Sequence, residues 1–128
     1  MEDYVLREID RIGEMLLKIA RRLGLLDDGL QDYSFADVQE EFEQAGLPMD
    51  WDTLFQQEHP IAYLVETVKL NDQGLETWMD ILFHSDLDES KKSALLDDAL
   101  NYLDAKGFYS FKLHSLQSVS KNTAATRI

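Results

Sequence analysis

The chain contains no cysteine. Disulfide frameworks, thiol nucleophiles and zinc sites built on thiolates are therefore excluded. Two prolines and six glycines in 128 residues leave few breakpoints for regular structure, and three histidines leave little material for imidazole chemistry. No run approaches the roughly 18 apolar residues that a membrane-spanning helix requires. The opening MEDYVLRE is acidic where a secretory leader is basic, and Arg or Lys interrupts every early apolar stretch; both features predict a cytoplasmic protein. Gly-x-Gly-x-x-Gly, Gly-x-x-x-x-Gly-Lys-Ser/Thr and Gly-x-Ser-x-Gly are all missing. A phosphate-cradling loop and a nucleophile elbow thus have no support.

What is present describes an ordinary globular protein. Apolar residues make up 45% and charged residues 29%, and a chain of this size buries roughly two-thirds of its unfolded surface around one core. The net charge of −13 is unevenly spread: residues 1–24 are neutral, 25–106 carry twenty acids against four lysines, and 107–128 carry three bases and no acid. Such an acidic body repels nucleic-acid phosphates, so no nucleic-acid partner is expected. The same charge disfavours anionic membrane surfaces, and a neutral first helix offers no compensating attraction.

The pattern predicts helices throughout. In VLREIDRIGEMLLKIARRLGLL, positions Val5, Ile9, Ile12, Leu16, Ile19, Leu23 and Leu26 form one uninterrupted stripe, which predicts a first helix from about Glu2 to Leu23 stopped by Gly24. After the turn-rich LDDGLQDY, Ser34 with Asp37 makes a capping box for a second helix carrying Phe35, Val38, Phe42 and Ala45, closed by Gly46 and Pro48. Asp50 caps a short third segment over 51–57. Pro60 opens a fourth helix with Ile61, Leu64, Val65 and Val68 inward, ending near Leu70 and Asn71. Asp72 caps a fifth, in which Leu75, Trp78, Met79, Leu82 and Phe83 share one side. Asp86 with Glu89 starts a sixth, which buries Leu95, Leu96, Ala99, Leu100 and Leu103 and stops at Gly107. The piece FYSFKLHSLQSV reads as a last helix by context, and 120–128 is small and polar enough to fray.

No β-rich run bounded by turn signals occurs, so the expected fold is all-α: one domain over 1–119, a compact array of about six or seven helices in antiparallel hairpins, followed by a frayed tail. Residues 60–84 and 88–118 are both pairs of amphipathic segments, which gives a tetratricopeptide-like shape analogy, although the 34-residue signature is not met in order.

Leu6, Gly13 and Ala20 widen the face of the first helix. Glycine at mid-helix costs about 1 kcal/mol relative to alanine, which is most simply explained if another helix crosses there. The stripe is therefore expected to be buried within its own chain, against the fourth to sixth helices, leaving a flank near Met15, Leu17 and Arg22 for a partner or a second copy.

Chemistry-bearing residues are few. Glu76, Asp80 and His84 recur at i, i+4 and i+8 on the fifth helix, a spacing that aligns two carboxylates and an imidazole for a metal ion or acid–base work; the plainer reading is a solvated polar face. His59 reads as a helix-start residue and His114 stands alone. DLDES (86–90) lacks the ligand set and glycine turn of a calcium loop. The acidic pairs Asp27–Asp28, Glu40–Glu41 and Asp97–Asp98 read as solubility. Most aromatics fall at core spacing; Trp51, between two aspartates after a proline turn, is either a surface anchor for a partner or a pin for the short helix.

The segments DYVLREIDRIGEMLLKIARRLGL and ALNYLDAKGFYSFKLHSL resemble the two ends of a group of small bacterial all-helical domain-of-unknown-function proteins. That resemblance implies a bacterial source and a compact helical fold, and it brings no catalytic residue with it. The residues themselves favour a protein–protein interaction or scaffold module that binds another protein or itself, with no cofactor. An enzyme with a helix-borne carboxylate–histidine site and a peripheral membrane protein are the alternatives.

Overall fold

The computed structural model describes the backbone of residues 2–25, 33–47 and 49–126, and the side chains of 11–25, 33–47 and 49–118. Among these residues there are seven helices: α1 (Glu2–Arg22), α2 (Phe35–Gln44), α3 (Trp51–Gln56), α4 (Pro60–Val68), α5 (Asp72–Phe83), α6 (Glu89–Ala105) and α7 (Phe111–Thr126). The fold is all-helical; the described residues hold no strand, only an isolated parallel bridge between Tyr33 and Ser85. The turn-rich stretch 26–32, Pro48, and the side chains of Val5, Leu6, Ile9 and Leu26 lie outside the described residues.

Local chemistry sets the helix ends. Gly24, Gly46 and Gly107 all adopt positive φ, and in each case the apolar residue that follows donates its N–H back into the helix: Leu25 to Ala20, Leu47 to Phe42 and Phe108 to Leu103. This is the Schellman arrangement, whose apolar C″ residue also packs onto the helix it ends. At the other ends, Ser34 and Asp37 form the expected capping box, and Asp50 accepts from Thr53 N–H. Two starts differ from the sequence reading. Asn71, not Asp72, caps α5, and Asp88, not Asp86, precedes α6. Asp86 is occupied elsewhere: its carboxylate accepts the N–H of Phe35 at 2.7 Å, so it serves the start of α2. α7 continues to Thr126, through the residues expected to fray.

α5 is the centre of the molecule. It packs against α1, α2, α6 and α7, and Gly74, Leu75, Trp78, Met79, Asp80, Ile81 and Leu82 are all buried along it. Burial on nearly every side is what a helix at the middle of a small core requires. α6 carries the other half of the core through Leu95, Leu96, Ala99, Leu100 and Leu103, packing on α4, α5 and α7.

The α1 stripe is buried within the chain at Ile12, Leu16, Ile19 and Ala20. Each large side chain so covered contributes on the order of 1.5–3 kcal/mol relative to exposure. Of the expected partners, however, only α5 receives it; the other surface is α2. The reason is that the apolar face of α4 is taken by α6 and α3, whereas α5 has a second face to offer. The expected crossing at Gly13 is also absent: a Cβ there would meet nothing within 4 Å among the described residues. The close approach falls instead at Gly74, where a Cβ would stand 3.1 Å from Asn71 Oδ1 and 3.7 Å from Leu16 Cδ1.

Trp51 resolves in favour of the pin. It is 7% exposed, meets Phe35 and Phe42 edge-on at 5.0 and 5.2 Å, and stacks on Trp78 at 6.3 Å with 14° between planes. Trp78 Nε1 donates to Met49 Sδ at 3.4 Å. This aromatic cluster fixes the short α3 to α2 and α5, and it leaves no exposed indole for a partner.

Candidate functional site

Three helices frame one depression of the described surface. α1 and α7 both lie on α5, and between them runs an open groove of about 490 Å³ lined by Gly13, Glu14, Leu17, Gly74, Thr77 and Lys112 with neighbouring polar residues. Helix geometry explains the lining. The buried face of α1 is centred on Leu16 and Ile19, so Gly13 and Leu17 fall on the flank toward this groove. Leu17 is 45% exposed, one of three large apolar side chains with substantial exposure among the described residues; the others are Tyr109 at 64% and Phe111 at 77%, beside Lys112 at the start of α7.

Met15, Leu17 and Arg22, expected to form one flank, are divided. Leu17 faces the groove, whereas Arg22 Nε donates to Glu41 at 2.6 Å and Met15 Cε lies 3.8 Å from where a Cβ on Gly46 would stand. Met15 and Arg22 thus belong to the α1–α2 joint, where Lys18 and Arg22 also line a small recess with Glu41 and Gln44.

Glu76, Asp80 and His84 are not a solvated face. Because α5 is central, this side of the helix meets α7. Glu76 Oε2 accepts from Ser110 Oγ at 2.7 Å, and the same Ser110 oxygen accepts the Leu113 N–H at 3.1 Å, capping α7. Asp80 is buried between Lys112 Nζ and His84 Nε2, each 3.2 Å away on a different carboxylate oxygen. Burial pushes the Asp80 carboxyl up, but the hydrogen bond from His84 and the charge and hydrogen bond of Lys112 together outweigh it and hold the group below its ordinary value. Among the described residues, no group of three or more His, Asp or Glu side chains is placed to hold a metal ion. The set acts as a polar clamp between α5 and α7, and it closes one side of the groove.

Sequence reasoning missed Lys112, Ser110, Thr77 and Gly74 as parts of this surface. Only Ser110 carried a local signal, a serine three residues before Leu113 at a helix start. A second depression of about 400 Å³ lies between the start of α4 and α6, lined by Phe55, His59, Lys91, Asp97, Asp98 and Asn101 among others. Lys91 Nζ stands 5.1 Å above the Phe55 ring there.

Among the described residues, no helix is long and apolar enough to cross a membrane. Compared with protein-family models, curated proteins and solved structures, the chain matches none.

Proposed function

We propose that the chain is a helical protein–protein interaction module that receives its partner in the groove between α1 and α7. Gly13 carries this reading. A mid-helix glycine costs about 1 kcal/mol against alanine, and the usual compensation is a backbone approached closely by another element. At Gly74 that compensation is internal. At Gly13 a Cβ would meet no described atom within 4 Å beyond its own turn of helix, and the open flank is continued by a half-exposed leucine on the same side of α1. A surface that omits a side chain and exposes Leu17 beside the gap is shaped for an element supplied from outside, either another protein or a second copy. A cysteine-free chain suits the reducing cytoplasm, and the likeness of its two ends to bacterial helical proteins points to a bacterial cell as the setting.

The test is site-specific photo-crosslinking in the native host. A benzophenone side chain at position 17 is expected to yield one discrete adduct, while the same group at Thr67, exposed on α4 away from the groove, yields none. Equal patterns from both positions, or no adduct from either, overturn the module reading.

A further inference from the structure

The groove also specifies the chemistry of its occupant. Among the described residues that line it, the one cation is Lys112, which is already paired with Asp80 at 3.2 Å. Glu14 on α1 and Glu76 on α5 have no cationic partner among the described residues, and Glu76 is held in place by the Ser110 hydroxyl. Two of the α1 bases, Lys18 and Arg22, line the recess at the α2 joint instead. Gly13 on α1 and Gly74 on α5 contribute no side chain and Thr77 a short one, while Leu17 adds an apolar edge on the α1 side. The lining therefore combines two carboxylates, a set of small residues and an apolar edge.

Resting on the module reading, we propose that the occupant is a basic amphipathic helix from another protein: its backbone crosses close to Gly13, an apolar ridge packs against Leu17, and Lys or Arg side chains pair with Glu14 and Glu76. A helix fits the space that two flanking helices leave over a third, and ridge-into-groove packing needs a close approach of about 8–10 Å between axes, which glycine permits. The charge of the protein favours the same occupant over a second copy. With −13 overall and −16 over residues 25–106, the body attracts cations from a distance and repels another copy of itself.

The probe is a synthetic Ala-rich helix of about 18 residues, long enough to hold helical structure in water, bearing Leu on one face and Lys on the other; its control replaces each Lys with Glu. Fluorescence anisotropy with the full chain is expected to show binding of the Lys peptide and at least tenfold weaker binding of the Glu peptide. Gly13→Leu, which fills open space, is expected to keep or raise the thermal midpoint while weakening the Lys peptide at least tenfold. Leu17→Lys, at an exposed position, serves as a second groove variant with the same expected loss. Glu14→Gln with Glu76→Gln, which retains an acceptor for Ser110, is expected to weaken binding about fivefold to tenfold. Unchanged binding in Gly13→Leu and Leu17→Lys overturns the groove as the site, and equal binding of both peptides overturns the charge assignment. If neither peptide binds but sedimentation shows a dimer dissociated by Gly13→Leu, the basic-helix proposal fails while the module reading stands.

Discussion

The carboxylate of Asp98 on α6 accepts the backbone N–H of Ile61, the second residue of α4, at 3.0 Å. Pro60 has no N–H to satisfy and His59 makes no side-chain cap, so the first donor of α4 is paired by a residue thirty-seven positions away. Asp98→Ala leaves that amide without its partner and is expected to cost about 1 kcal/mol, within the range of lost N-caps. Asp98→Asn keeps an acceptor oxygen and should cost less than half as much. Asp97→Ala, its exposed neighbour, should stay within about 0.5 kcal/mol of the parent. Urea midpoints for the three variants test this; indistinguishable values for Asp98→Ala and Asp97→Ala would mean that the cap contributes nothing.

Trp51→Ala removes the ring that joins Phe35, Phe42 and Trp78. A truncation of that size in a packed cluster is expected to cost about 3–5 kcal/mol. Leu17→Ala, at a half-exposed position, should cost no more than about 0.5 kcal/mol in the free protein. Chemical denaturation checks the contrast, and a small shift for Trp51→Ala would show the aromatic cluster to be loosely packed.

Asp80 gives the α5–α7 clamp a pH dependence of defined sign. Its carboxyl is held below the ordinary value of 3.8 by His84 and Lys112 despite burial, so the unfolded chain takes up the proton first as pH falls. The stabilisation is fully present above the ordinary value and is lost as pH drops through the folded one. Unfolding free energies measured from pH 6 down to acid should therefore decline below about pH 4, and Asp80→Asn should be less stable at neutral pH with a shallower acid decline. An acid decline parallel to that of the parent counts against the clamp.

Lys69 ends α4 with φ 67° and ψ 41°, in the left-handed region, where a Cβ is disfavoured by roughly 1–2 kcal/mol. Its side chain is exposed. Lys69→Gly is expected to raise stability by about 0.5–1 kcal/mol after the greater freedom of glycine in the unfolded chain is deducted, whereas Lys69→Val should lower it. Thermal melts decide the order of the three.

The elements of this fold were legible because their ends are coded within a few residues. Gly-Leu, Gly-Leu and Gly-Phe after α1, α2 and α6 announce their own turns, as do Ser34–Asp37, Asp50 and Pro60. What lay beyond the sequence was which carboxylate serves which helix. Asp86 and Asp98 cap α2 and α4, helices remote in the chain; Glu41, read as half of a solubility pair, binds Arg22. Adjacent spacing cannot disclose such partners, because they are chosen by packing. The groove was legible only in part. The cost of Gly13 was visible in the sequence, but the missing crossing helix was not. The polar face of α5 was mistaken for a solvated one because nothing local reveals that α5 is surrounded.

Leu25 and Tyr33 are two fixed posts. Leu25 N–H is tied back to Ala20, while the Tyr33 hydroxyl donates to the Ile81 carbonyl at 2.7 Å and the Tyr33 carbonyl accepts from Asp86 N–H. Tyr33 thus ties the entry of α2 to the end of α5 through both its side chain and its backbone. Two bonds from one residue fix the direction in which the chain enters α2, and with it the seat of Phe35 and Phe42 against Trp51.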